Sequence, residues 1–261
     1  MAEQSKPWTT LQEPNEDIWE QRTFLFYGPS GVGKTRLSSM FPKPLLLSCD
    51  PGQSGGSASA RRGIQQIKIF DYQQIMDLMP QLQESAGIDF YTLIVDSATY
   101  LGRITMQHIL TSVGREVPRF DEFNLNFARM SMLIQSFADL PCHVIFTAID
   151  KYDKDEVTGK LLGGPDLVGQ LRRAMPQAVD VCCRLFTNTA YGSNGKLSTQ
   201  YKFRSVPDDL FFCKDRFSVL PSEGESEFEV FAPLFSEKEL LWEQEQLAVE
   251  TAATNKKGAK K

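Results

Sequence analysis

Apolar residues fall into two rhythms along the chain. Four short, mostly apolar runs, Phe24-Leu25-Phe26-Tyr27, Leu45-Leu46-Leu47-Ser48-Cys49, Tyr91-Thr92-Leu93-Ile94-Val95 and His143-Val144-Ile145-Phe146-Thr147-Ala148-Ile149, read as buried strands of a parallel sheet. Between them lie helical stretches. A helix is expected from Arg36 to Phe41, stopped by Pro42-Lys43-Pro44, and another after the cap Asp71, with Ile75, Leu78, Met79 and Leu82 on one face. Further helices are expected over 99–110 and 121–140, a short one over 170–174, and an edge strand at Ile67-Lys68-Ile69-Phe70. Residues 179–189 and 196–204 read as two strands joined by the turn Gly192-Ser193-Asn194-Gly195. Strands alternating with helices, closed by a hairpin, predict an α/β fold: a mainly parallel sheet flanked by helices, with a C-terminal antiparallel hairpin extension.

Composition narrows the class. At 261 residues, 41% hydrophobic and 23% charged, the chain fits one α/β domain with additions, or at most two small domains. It has no apolar stretch of membrane-spanning length, and its first residues lack the basic-then-apolar order of a secretion signal, so the expectation is a cytoplasmic protein with no membrane partner. Five cysteines without a C-x-x-C pair are expected to be buried reduced thiols, and two histidines argue against a histidine metal centre. A net charge of −5 confines any DNA contact to local patches. The expected division is an N-terminal arm, 1–22, anchored by Trp8, Ile18 and Trp19; a core, 23–220; an acidic segment with a short helix, 221–250; and a basic, disordered tail, 251–261. In the third part Glu223, Glu225, Glu227 and Glu229 form the acidic run and Ser236-Glu237-Lys238-Glu239 a capping box.

The chemistry begins after the first strand. Gly28-Pro29-Ser30-Gly31-Val32-Gly33-Lys34-Thr35 matches the phosphate-loop pattern GxxxxGK[ST] between a strand and a helix, the context that its function requires. The glycines turn backbone N–H groups toward phosphate oxygens, Lys34 reaches the β- and γ-phosphates, Thr35 ligates Mg²⁺, and Arg36 continues the cofactor-binding segment at the helix start. The third strand closes on Asp96, the carboxylate expected to hold Mg²⁺ beside Thr35. ATP and Mg²⁺ are the expected cofactors. Asp50, Asp96 and Asp150 all fall at the C-terminal edge of the strands, where ligands of open α/β sheets bind.

This order of parts resembles the RecA-type P-loop ATPase core, and it is similar to the compact, phage-encoded, AAA-type ATPases of single-strand annealing and recombination; the resemblance spans residues 23–217. It implies that Asp50 stands where the family has a glutamate activating the attacking water, with Asp150 as the alternative carboxylate. It also implies that Lys214 and Arg216, in Phe212-Cys213-Lys214-Asp215-Arg216-Phe217, reach the ATP of the neighbouring subunit of a ring or filament. The segments 111–120 and 151–166 occupy the places of two DNA-facing loops, offering Arg115 and Arg119, then Lys151, Lys154 and Lys160, with Phe120 or Tyr152 to stack on bases. Against that reading, Phe120, Phe123 and Phe127 have the spacing of core positions. The family's γ-phosphate-sensing Gln or His falls on Ile149, which cannot hydrogen-bond a phosphate, so coupling passes to Asp150 or Thr147 or is weak.

The reading that follows is an oligomeric, Mg-ATP-dependent ATPase, slow or DNA-stimulated, that binds single-stranded DNA in recombination or annealing, with a single-strand-binding protein as a further partner. Two alternatives stay open. One is a small-molecule or nucleotide kinase, although no Arg-rich lid is visible. The other is a non-hydrolytic, ATP-gated loader or scaffold, consistent with Asp50 and Ile149. A GTPase is disfavoured, since no N-K-x-D segment follows the fourth strand.

Overall fold

The computed structural model describes residues 21–51, 63–154, 159–191, 197–235 and Leu240. Trp8, Ile18 and Trp19, the Gly192–Gly195 turn, the capping box, most of the helix after it and the basic tail lie outside the described residues.

The apolar runs form the centre of the sheet. Strands β1 (Thr23–Tyr27), β2 (Pro44–Ser48), β3 (Gln65–Lys68), β4 (Thr92–Asp96) and β5 (His143–Ala148) are parallel, in the order β3-β2-β4-β5-β1. On the far side of β1 lies β8 (Val181–Tyr191), parallel to it, then β9 (Leu197–Arg204) and β11 (Glu223–Glu225), both antiparallel. The short strand β10 (Lys214–Asp215) pairs with the start of β8. The expected fold class is therefore present: a mainly parallel sheet flanked by helices and extended by an antiparallel hairpin.

Alternation sorts the side chains of β1 to two cores. Leu25 and Tyr27 face the layer built by α2 (Tyr72–Ser85), α3 (Ala98–Val113), α4 (Phe120–Ala138) and α5 (Leu171–Ala178). Phe24 and Phe26 face α1 (Lys34–Ser38), together with Phe41, Phe203, Phe228, Phe231 and Phe235. The Phe41 ring sits 5.3 Å from Phe24, Phe228 and Phe235, edge to face in each case. All five cysteines are buried and free.

Four expectations change. The boundary at 220 falls inside the fold: β11 pairs with β9, and the helix α6 (Phe228–Phe231) and the 3₁₀ turn Ala232–Leu234 cover the second core. The glutamates of the acidic run alternate with Gly224, Ser226 and Phe228, which face inward, so the run is the outer face of an edge strand and of α6. The segment 151–166, expected as a loop, is mostly a pair of strands, β6 (Asp150–Lys154) with β7 (Leu161–Pro165). Phe120 and Phe123 are exposed, 78% and 43%, whereas Phe127 packs against the core. Helical spacing alone did not distinguish the solvent side of the first turn of α4 from its buried side.

Candidate functional site

The register of the sheet assembles the site. Ser48 of β2 lies opposite both Asp96 and Lys68, and Tyr27 of β1 lies opposite Ala148, so the residues that follow these strands meet along one edge. The phosphate loop leaves that edge at Gly28, whose N–H donates to Ala148 O at 3.2 Å; the Asp150 N–H returns a bond to Gly28 O at 3.2 Å. Gly28, Gly31 and Gly33 all have positive φ. At Gly28 a side chain has no room, because a Cβ there would lie 2.2 Å from the Leu185 carbonyl oxygen. Val32 is buried and anchors the loop, while Ser30 and Gly31 stay exposed. The Lys34 ammonium donates to the carbonyls of Gly28 and Pro29, both at 2.8 Å, and so lies across the loop. Burial lowers its pKa from the ordinary value, and the carboxylates of Asp96, Asp150 and Asp50 oppose that shift.

Thr35 and Asp96 meet as expected: Thr35 Oγ1 donates to Asp96 Oδ2 at 2.8 Å. The other carboxylate oxygen of Asp96, which is 4% exposed, accepts from Thr147 Oγ1. Asp50 stands beside this pair and accepts from Ser97 Oγ at 3.0 Å. Burial raises the pKa of Asp50, Asp96 adds to that, and Ser97, Lys34 and Lys68 pull it back. A hydroxyl and a carboxylate are the hard oxygen donors that Mg²⁺ takes, and two protein donors with nucleotide phosphates supplying others is its usual arrangement. Among the described residues, no group of three or more His, Cys, Asp or Glu could hold a metal ion alone.

The remaining site candidates are spread around this centre. The Arg36 side chain turns away from the loop to Glu227 at 2.5 Å and Ser226 O at 3.1 Å, with its guanidinium 5.3 Å from the Tyr201 ring. Its expected contribution to the cofactor is thus confined to the backbone or to a wall beside the loop. Lys214 donates to Gln177 O at 2.7 Å and Arg216 pairs with Asp180 at 2.8 Å. Both lie by the first residues of β8, two strands from β1 and level with its start rather than with Gly28. Ile149 is engaged through its backbone: its N–H donates to Thr99 Oγ1 at 3.1 Å, and its carbonyl accepts from Asp166 N at 2.6 Å.

Of the cations expected to face DNA, Arg115 pairs with the buried Glu122, and Lys160 with Asp209 at 3.0 Å. Lys151 and Lys154 are exposed on β6, with Lys151 3.9 Å from Asp153; Arg119 is exposed at the start of α4. The hairpin is tied to the body by Asp150 with Arg184 (3.5 Å), Asp153 with Arg172, and the Tyr152 ring on Phe211 (5.8 Å). A separate cavity of about 780 Å³ lies beyond it, between Lys154, Arg172, Arg173, Asp208 and Phe212.

Sequence reasoning missed Ser97, Lys68, Arg184 and Tyr201. Lys68 and Ser97 come from the ends of β3 and β4, and Arg184 and Tyr201 from within β8 and β9, so no local spacing marks them. Among the described residues no helix is long and apolar enough to cross a membrane.

No curated protein matches the chain. A crystal structure of the RadB recombinase superposes with a TM-score of 0.42 at 14% identity, over 74% of this chain and 86% of that one. The family model described as an AAA domain matches residues 20–217, a stretch that holds the phosphate loop, Asp50, Asp96 and the Lys214/Arg216 strand, and the chain belongs to that family.

Proposed function

We propose that the protein is a Mg-ATP-dependent ATPase that assembles into a ring or filament and acts on single-stranded DNA in recombination or annealing. The observation that carries the nucleotide part is the meeting of Lys34, Thr35, Asp96 and Asp50 at one sheet edge, from three separate strands. Mg²⁺ held by Thr35 and Asp96 would neutralise charge on the phosphates. Lys34 binds and orients them, and Asp50, half-buried beside Ser97, is placed to orient a water and take its proton.

Assembly is supported by the position of Lys214 and Arg216. Lys214 and Arg216 lie two strands from β1, in register with its start and not with Gly28, which supports a role toward the phosphate loop of another copy over one toward their own. The DNA part is supported by the exposed Lys151, Lys154 and Tyr152 of the β6–β7 hairpin, and by Arg119 with exposed Val117 and Phe120 between α3 and α4. Arg115 and Lys160 contribute less to this reading, since each is committed to a carboxylate.

The test is ATP hydrolysis with and without single-stranded DNA, alongside DNA binding in each nucleotide state. Turnover should rise with DNA and vanish in Lys34→Ala. A protein that binds no DNA in any nucleotide state sinks the DNA part and leaves the nucleotide part standing.

A second reading, an ATP-gated loader or scaffold that does not hydrolyse, is favoured by one observation. Ile149 has no polar side chain, and its N–H and carbonyl are committed to Thr99 Oγ1 and Asp166 N, so it offers a γ-phosphate no hydrogen bond. Tight ATP binding without phosphate release, with or without DNA, selects it.

A further inference from the structure

Strand β8 is longer than its parallel neighbour. Its first four residues pair with β1, ending at Tyr27 opposite Arg184; the rest of β8 and its partner β9 run on past the start of the phosphate loop. Directly opposite residues of an antiparallel pair share a face, so Leu185 with Phe203, Thr187 with Tyr201 and Thr189 with Thr199 line one side of this overhang. Leu185 and Phe203 are buried in the α1-side core, and that fixes the side as the one facing α1 and the loop.

Tyr201 is the aromatic residue there. A Cβ on Gly33 would lie 3.1 Å from its Cδ1, so the ring rests against the backbone just before Lys34. Arg36 lies over the ring at 5.3 Å and is held by Glu227 and Ser226 O. Thr35 and Asp96 fix the metal end of the phosphate site on the β4 side of β1. A nucleotide with its terminal phosphates at that end leaves its nucleoside on the opposite side, under the β8–β9 overhang.

We infer that Tyr201, braced by Arg36, is the wall against which the nucleoside base packs. This rests on the nucleotide reading of the loop and adds the residue that distinguishes a nucleoside triphosphate from bare triphosphate. Base recognition is by the ring face, and an aromatic platform of this kind contributes on the order of 10- to 100-fold in affinity.

The test is calorimetric titration of the full chain, in Mg²⁺, with ATP and with inorganic tripolyphosphate. Wild type should bind ATP more tightly than tripolyphosphate. Tyr201→Ala and Tyr201→Leu, the second keeping bulk against Gly33, should weaken ATP roughly 10-fold or more and leave tripolyphosphate unchanged, while Tyr201→Phe keeps wild-type affinity for both. Equal loss of both ligands in the Leu variant makes the ring a structural prop and overturns the inference, as does unchanged ATP affinity in either variant. A wild-type chain that binds neither ligand instead removes the nucleotide reading itself.

Discussion

Thr35 and Asp96 are 61 positions apart, and the hydroxyl of one donates to the carboxylate of the other at 2.8 Å. Thr147 donates to the second oxygen, so the carboxylate is oriented from two sides before any ligand arrives. Thr35→Ala removes one of the two oxygen donors and one bond to a charged group. We expect it to weaken nucleotide binding in Mg²⁺ by at least 10-fold but little in EDTA, and Thr35→Ser to restore it. Asp96→Asn should also cost about 1–3 kcal/mol of stability, since its amide cannot accept from both hydroxyls. Calorimetry with and without Mg²⁺, and urea unfolding, read the two effects separately.

Asp50 predicts a pH dependence. Burial and the neighbouring Asp96 raise its folded-state pKa above the unfolded value. Between those two values the folded state holds more protons than the unfolded one, so this group lowers stability as pH rises through that window, and the loss persists above it. Asp50→Asn removes the ionisable group. The variant should be more stable than wild type at neutral pH, with the difference vanishing below about pH 4, where both states of wild type are protonated. Thermal unfolding across pH 3–8 measures this, and a constant difference at all pH values would contradict it. Hydrolysis, if Asp50 takes the proton from water, should climb with pH through the same window and be lost in the variant.

The second core predicts that the C-terminal stretch is integral to the fold. Phe231 is fully buried, with its ring 5.5 Å from Phe26 and 4.8 Å from Phe203. Phe231→Ala should destabilise the protein by about 3–5 kcal/mol in urea unfolding. A cost well under 1 kcal/mol would restore a boundary near residue 220.

Much of this fold is legible in the sequence because its strands are unbroken apolar runs, and the phosphate loop is legible because its chemistry is local. The β6–β7 hairpin was not, since its residues are mostly exposed and show no alternation to read. The edge strand β11 looked like a charge run for a related reason. Only its outward positions carry strong chemistry, while inward Gly224 is small because a Cβ would meet the Phe203 ring at 2.9 Å. Within the site, Asp50 and Asp96 could be named from their strand ends. Ser97 as the partner of Asp50, and Tyr201 beside Gly33, depend on which strands become neighbours, and no single segment encodes that.

Lys214 and Arg216 give the prediction that decides between a self-contained site and a shared one. Both side chains anchor near one corner, at Gln177 O and Asp180. That corner is level with the start of β1 and not with Gly28 of the same chain, so the proposed catalytic role is toward a second copy. Head-to-tail contact between copies would bring the corner of one to the loop of the next. Arg216→Ala and Lys34→Ala should then each be inactive alone for different reasons, one lacking the cation it offers and the other the lysine it keeps. Mixed in equal amounts, about one interface in four joins an intact loop to an intact Arg216, and ATP turnover should return to about that fraction of wild type. Arg216→Lys should retain part of the activity, because the charge survives but the guanidinium fork does not. A mixture as inactive as its components, with both variants still assembling, would show that Arg216 serves only its bond to Asp180.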